Sequence, residues 1–372
     1  MVALSLLVAA RLLVPLLIPR FPLPALVLVG AIDANDQVIF QVLGAAALAE
    51  YQTIDKALDI YYLTIAYAAT IRNWGDGFAF KVGRFLWYYR LAGVTLFEAT
   101  NARWLLLLFP NTFEYYFVVV EALKIGGNPF SFERRKLLAI ALFIWVFVKL
   151  PQEWWLHVAQ KDFSNVLKTQ IFDVPVDASW GAAFGTRPSI AFTLAGGLVL
   201  LAVLLFLRGT RWFRSRAGAT FSADAQARRL SWVLTTRPPS TRFDGGFVEK
   251  VVMVTLVVVI FRHILPGRHS MLQAAVGISA LITTSTCISH WLVWRGLTWR
   301  SAVPSFIVLG IVNVAVGALL ATVVGARGAQ TSLPIFLFLI SLLTLIVVLF
   351  DAFQRLRWCA PGLIAGVGRT SH

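Results

Sequence analysis

The sequence predicts an all-α, polytopic integral membrane protein, and three observations predict it. Of 372 residues 58% are hydrophobic and only 14% charged, with a mean hydropathy of +0.76, which lies well outside the range of soluble globular chains. Ten apolar segments can be drawn, at about residues 3–31, 54–72, 79–100, 103–123, 136–151, 189–207, 247–265, 271–294, 302–325 and 331–350, most of them near the length that crosses a bilayer as a helix. Basic residues gather in the connections between these segments, the pattern that orients membrane helices.

The first segment carries Arg11, Arg20 and four prolines, Pro15, Pro19, Pro22 and Pro24, so it is expected either to be one span or to be broken or partly interfacial. The first residues lack a basic start and a small-residue cleavage site, and are read as a retained span. The fifth segment is short unless Lys136 and Lys149 extend their ammonium groups to the interfaces. Segments seven to ten are long and nearly uncharged.

Charge divides the chain in two. Residues 1–180 hold 15 basic and 14 acidic residues (net +1), whereas 181–372 hold 18 basic and 4 acidic (net +14). Two regions follow: 1–188, a membrane region with a polar hairpin and acidic outer loops, and 189–372, a hydrophobic scaffold interrupted by a basic linker at 208–246. That linker is expected in the cytoplasm, where it would attract anionic lipid headgroups. Ten spans then put both termini in the cytoplasm and the protein in the cell membrane. The connection from Pro151 to Arg187 falls outside, and its apolar positions Leu156, Ala159, Phe163, Val166 and Leu167 recur at helical spacing. This predicts an extracytoplasmic interfacial amphipathic helix anchored by Trp154 and Trp155.

The polar chemistry concentrates in residues 78–124. Two spans are expected to reverse near Asn101, and at 1.5 Å per residue Arg90 and Glu114 then lie level near mid-membrane. Lys81 and Glu121 form a second rung, and Glu98 and Arg103 flank the turn. Such pairs either lock two helices together or line a site. Pro110 removes a backbone hydrogen bond within the second span, and Tyr88, Tyr89, Tyr115 and Tyr116 are positioned to satisfy the carbonyls it frees.

Asp33 and Asp36 follow the first segment at a spacing that suits either catalysis, as a general base or as ligands of a divalent cation such as Mg or Mn, or the capping of a helix N-terminus. Asp55 and Asp59 share a face of the second segment, and Asp59 falls about a turn inside, towards Arg90.

Other classes of function are excluded by what the sequence lacks. No Gly-rich phosphate loop, nucleophile elbow or HExxH motif is present. The five histidines have no ligand spacing on one helix face, and Cys287 and Cys359 are too far apart to suggest a framework. The uneven positive charge does not fit a nucleic-acid binder. In layout, an outer loop with catalytic aspartates followed by many spans and an interfacial helix resembles the membrane glycosyltransferases that use polyprenyl-phosphate sugar donors.

Two functions are therefore expected. One is a transferase acting on a lipid or lipid-linked substrate at the extracytoplasmic face, with Asp33 or Asp36 as base or metal ligand. Asp59, Arg90, Glu98, Arg103, Glu114, Tyr89 and Tyr115 would then bind the substrate. The other is a transporter or proton-coupled carrier with Asp59, Arg90, Glu114 and Glu121 as its relay. The charge-poor second half also offers a surface for a homo-oligomer.

Overall fold

A computed structural model describes residues 2–43, 46–126, 133–155, 159, 163–176, 178–216, 245–261, 277, 279–284, 286–287, 302–323 and 333–358; these residues are helical with connecting turns, and no strand occurs among them. The all-α expectation holds. By length and composition one stretch among the described residues, Trp104–Lys124, is long and apolar enough to cross a membrane, and Pro22–Asp33, Phe306–Val316 and Ile340–Gln354 are shorter apolar runs.

The first segment is broken. Helix α1 (Val2–Leu13) passes into a 3-10 turn, Val14–Leu17, and α2 (Pro22–Leu43) starts afresh. Pro15, Pro19 and Pro22 cannot donate, so the chain tightens: Ile18 N donates to Pro15 O, and Arg20 N and Phe21 N donate to Leu17 O. The chain doubles back here, because Arg11 of α1 forms an ion pair with Asp33 of α2; a single straight helix would hold these residues about 33 Å apart. The turn sits at one end of α3 (Ala46–Asn73), where Pro19 O accepts from Asn73 Nδ2 at 2.9 Å.

Residues 32–53 do not form the expected outer loop. Helix α2 runs on to Leu43 and α3 begins at Ala46. Asp33 and Asp36 therefore lie inside α2, not at a helix N-terminus, and the capping role is overturned. Nothing in this stretch breaks a helix, since QVIFQVLGAAALAEYQ has no proline and its only glycine, Gly44, falls between the two helices.

Helix α4 (Gly77–Thr100) is capped by Asp76, whose carboxylate accepts from Phe78 N and Ala79 N at 2.9 and 2.7 Å. It ends at Asn101, which takes the left-handed conformation at φ 56° and closes the helix by donating its N–H to Phe97 O. The expected reversal at Asn101 is present. The returning limb of the hairpin is split into α5 (Trp104–Leu108) and α6 (Thr112–Gly126) around Pro110. Helix α7 (Arg134–Phe143) continues through a π-helical turn, Ile144–Lys149, into α8 (Leu150–Glu153).

The expected interfacial helix is described in part. Residues Phe163–Val166 form α9, which runs into a second π turn at Leu167–Ile171, whereas Leu156 lies outside the described residues. Trp154 and Trp155 are exposed. Helix α10 (Trp180–Thr186), capped by the Ser179 hydroxyl, closes a small cluster of Phe172, Val174 and Ala183. Helices α11 (Pro188–Arg216), α12 (Gly245–Phe261), α13 (Ala302–Val323) and α14 (Leu333–Trp358) complete the described chain. Most of linker 208–246 and most of segment 271–294 lie outside the described residues.

One core joins both halves of the sequence. Helix α14 packs on α3 and α13, α12 on α4, and α4 on α6. Met253, Val254 and Val257 of α12 and Ile346 and Phe350 of α14 lie in the same buried cluster as Tyr67 and Trp87. Tyr67 stacks against Phe80 and Trp87 and meets Tyr88 and Phe113 edge-on.

Several charged side chains lie inside this apolar core, and several large apolar ones lie outside it. Arg11, Glu121, Lys124, Lys149, Glu153 and Lys250 are buried, while Leu142, Phe143, Phe147, Phe192, Val199 and Ile311 are exposed, Phe192 by 79%.

Candidate functional site

The site begins where α1, α2 and α3 meet. Asp33 of α2 and Asp59 of α3 converge on one nitrogen of Arg11: Arg11 Nη2 donates to Asp59 Oδ1 at 2.6 Å and to Asp33 Oδ1. The Arg11 side chain is 3% exposed, whereas those of Asp33 and Asp59 are 32% and 39% exposed. The guanidinium thus forms a buried floor on which two carboxylates stand partly open. Tyr61 fixes the entry of α1 by donating its hydroxyl to Leu12 O at 2.9 Å.

A second group gathers at the Pro110 break. Two carbonyls at the end of α5 are taken up: Leu108 O accepts from Tyr89 Oη at 2.9 Å, and Phe109 O accepts from Arg90 Nη1 at 3.0 Å. Of the tyrosines expected here, Tyr88 and Tyr116 donate elsewhere, to Glu249 O and Ala79 O. Arg90, however, forms no ion pair with Glu114: its reach is spent on the backbone, and Glu114 accepts instead from Asn111 Nδ2 at 2.9 Å. Glu153 of α8 accepts weakly from Asn111 N at 3.4 Å.

The two groups adjoin. A side-chain carbon at Gly30 of α2 would stand 3.8 Å from Glu114 Oε1, and Gly30 is one turn before Asp33. The buried Tyr62, three residues after Asp59, lies in the field of Glu114, Asp59, Asp33 and Arg11 together. Lys149 enters from the far side, 4% exposed, with Nζ 4.2 Å from the centroid of the Tyr115 ring. It closes the π turn Ile144–Lys149 and is buried.

The other two rungs of the hairpin do not form. Lys81 is exposed, and Glu121 is enclosed by Lys124 Nζ at 2.9 Å and Trp74 Nε1 at 2.7 Å. This cage lies beside Asn73, whose carbonyl accepts from Lys124 at 3.1 Å, near the Pro19 turn and away from Glu114. Glu98 and Arg103 flank the Asn101 turn without pairing with each other, and Arg103 is exposed. The side chains of Asp36 and Asp55 lie outside the described residues.

Comparison of the chain with known protein families, with curated proteins and with solved structures finds no match to any of them.

Three functional candidates were not read from the sequence: Arg11, Lys149 and Tyr62. Arg11 was noticed only as a charge in an apolar segment, and the signal that could have found its partners is that the segment holds prolines enough to fold back. A further polar group, Tyr67 donating to Glu249 with Arg84 3.5 Å from the same carboxylate, ties α12 to α3 and α4. Lys250 binds Asp351 at 2.9 Å and ties α12 to α14. Among the described residues no group of three His, Cys, Asp or Glu side chains forms a metal-type cluster.

Proposed function

We propose that the chain is a polytopic membrane protein and a transferase acting on a lipid or lipid-linked substrate, of the polyprenyl-phosphate type, at its Asp33–Asp59 pair. The observation that carries this reading is the convergence of two partly open carboxylates, from different helices, on one buried guanidinium. Arg11 holds both in place before substrate arrives, which is the preorganisation that acid–base chemistry requires. One carboxylate takes the proton of an acceptor hydroxyl while its oxygen bonds to the transferred group, and the bond from that group to phosphate breaks. Arg90 and Tyr89 at the break face the donor. Arg103 stands exposed at the Asn101 turn, at the far end of α4 from Asp76.

Membrane residence is supported by the buried charges and the outward Phe192, Val199 and Ile311. The sequence count of ten places the 208–246 linker and the C-terminus in the cytoplasm. The α1–α2 hairpin makes α1 too short to cross, at about 18 Å against about 30 Å of hydrocarbon, so the side of the N-terminus is decided by labelling. A membrane-impermeant thiol reagent will reach a Cys at Ser164 from outside and fail at Ser222; the reverse pattern overturns the orientation, and a Cys at Ser5 reports the N-terminus.

The carrier reading keeps one observation of its own, the discontinuous helix at Pro110 beside Glu114. In that reading Glu121 would act from its cage of Lys124 and Trp74. A transfer assay on the full chain with a radiolabelled polyprenyl-phosphate donor separates the readings. Asp33→Asn and Asp59→Asn should each lower transfer about 10²- to 10⁴-fold while the protein stays folded, since Arg11 keeps one carboxylate. Uptake into proteoliposomes with the donor chemically unchanged overturns the transferase.

A further inference from the structure

At the Pro110 break several buried polar groups lack a hydrogen-bond partner. Lys149 makes no hydrogen bond or ion pair among the described residues; its Nζ lies over the Tyr115 ring, with Glu114 and Glu153 as the opposing charges in its field. Arg90 Nε and Thr112 Oγ1 are buried without a partner, and on the acceptor side only Asn111 Oδ1 is left over. The nearby acids are engaged: Asp33 and Asp59 by Arg11, Glu114 by the Asn111 amide, Glu153 by Asn111 N. Buried polar groups left without a hydrogen bond are costly even where opposite charges lie nearby, so a group that accepts from Lys149, Arg90 Nε and the Thr112 hydroxyl is what these side chains fit. They stand at the N-terminus of α6, a helix of 15 residues whose dipole favours negative charge there.

We propose that the break is a binding site for a monoanionic oxyanion, a phosphodiester group held by Lys149 Nζ, Arg90 Nε and the Thr112 hydroxyl. Glu114 and Glu153 beside it set the charge: with two carboxylates at hand, the site takes one negative charge more readily than the two of a phosphomonoester. The aromatic faces of Tyr115 and Tyr89 give the ester carbons an apolar wall. This inference rests on reading the polar centre as a ligand site and names the group it recognises; it does not depend on Asp33 performing chemistry.

The phosphodiester belongs either to a lipid headgroup or to a free solute, and the test has an arm for each. The full chain in neutral detergent is heated with increasing dimethyl phosphate, or with dioctanoyl phosphatidylglycerol, with dioctanoylglycerol as the uncharged control and chloride held constant. One of the two phosphodiesters should raise the unfolding temperature saturably: dimethyl phosphate if the ligand is soluble, phosphatidylglycerol alone if it is a lipid. Lys149→Met should need roughly ten- to hundredfold more ligand and, without ligand, should unfold at the same or a higher temperature. Thr112→Val should weaken the response less. A flat response to both phosphodiesters, a Lys149→Met titration like the parent's, or loss of stability in unliganded Lys149→Met each overturns the site. Asp33→Asn should titrate normally, so failure of the transfer assay and failure of this site are separate results.

Discussion

Gly93→Ala will destabilise the protein by about 3 kcal/mol or more, beyond the usual cost of an added methyl in a packed core. A Cβ on Gly93 collides with the Cβ and ring of Phe109, the residue just before Pro110. Phe109 is held by its own carbonyl on Arg90 and by its N–H on Leu105 O at 2.9 Å, so it cannot retreat without losing both. α4 and the break are therefore in contact at a point where only glycine fits. Folded yield by size-exclusion chromatography, together with the unfolding temperature in detergent, reports the effect, and Phe109→Gly in the same chain should recover part of it. Parent-like stability for Gly93→Ala would mean that α5 and α4 are further apart than described.

The second large effect is at Arg11. Arg11→Met should cost about 3–5 kcal/mol, the range for leaving one side of a buried ion pair uncompensated, and here two carboxylates are left facing each other. Adding Asp33→Asn and Asp59→Asn to Arg11→Met removes the repulsion and should restore most of the folded yield. The triple variant tests coupling directly: yields that simply add would show three independent residues and not a triad.

The legible parts of this chain were those encoded locally. Asn101 marked the reversal because Asn tolerates the left-handed conformation that closes α4, and Pro110 marked the break because it has no N–H to give. Tyr89 was found as a partner for the broken helix because it lies at the same depth. The Arg90–Glu114 and Lys81–Glu121 rungs failed because depth alone does not fix azimuth: Arg90 turned to the backbone, and Glu121 met Trp74 and Lys124 from its own end of the bundle. Asp33 was expected in an outer loop and lies within α2; the lack of any helix breaker between it and Gly44 was the local signal passed over. Its partner, Arg11, lies 22 positions away and is reached only by the fold-back at Pro15 and Pro19, a tertiary event no periodicity records. Lys149 escaped for a similar reason, since a π turn changes which face a residue occupies without changing the sequence pattern.

On the membrane reading proposed above, the shared guanidinium also bears on how the chain would enter a bilayer during synthesis. A charged residue at the centre of a helix costs about 2.5–3.5 kcal/mol on insertion scales, and α1, α2 and α3 each carry one member of the triad in Arg11, Asp33 and Asp59. None of the three segments is at its best leaving the translocon alone. Arg11 can pair with Asp33 once α2 has emerged, but the full triad exists only once Asp59 has been translated, so on that reading the first 73 residues would partition as one parcel.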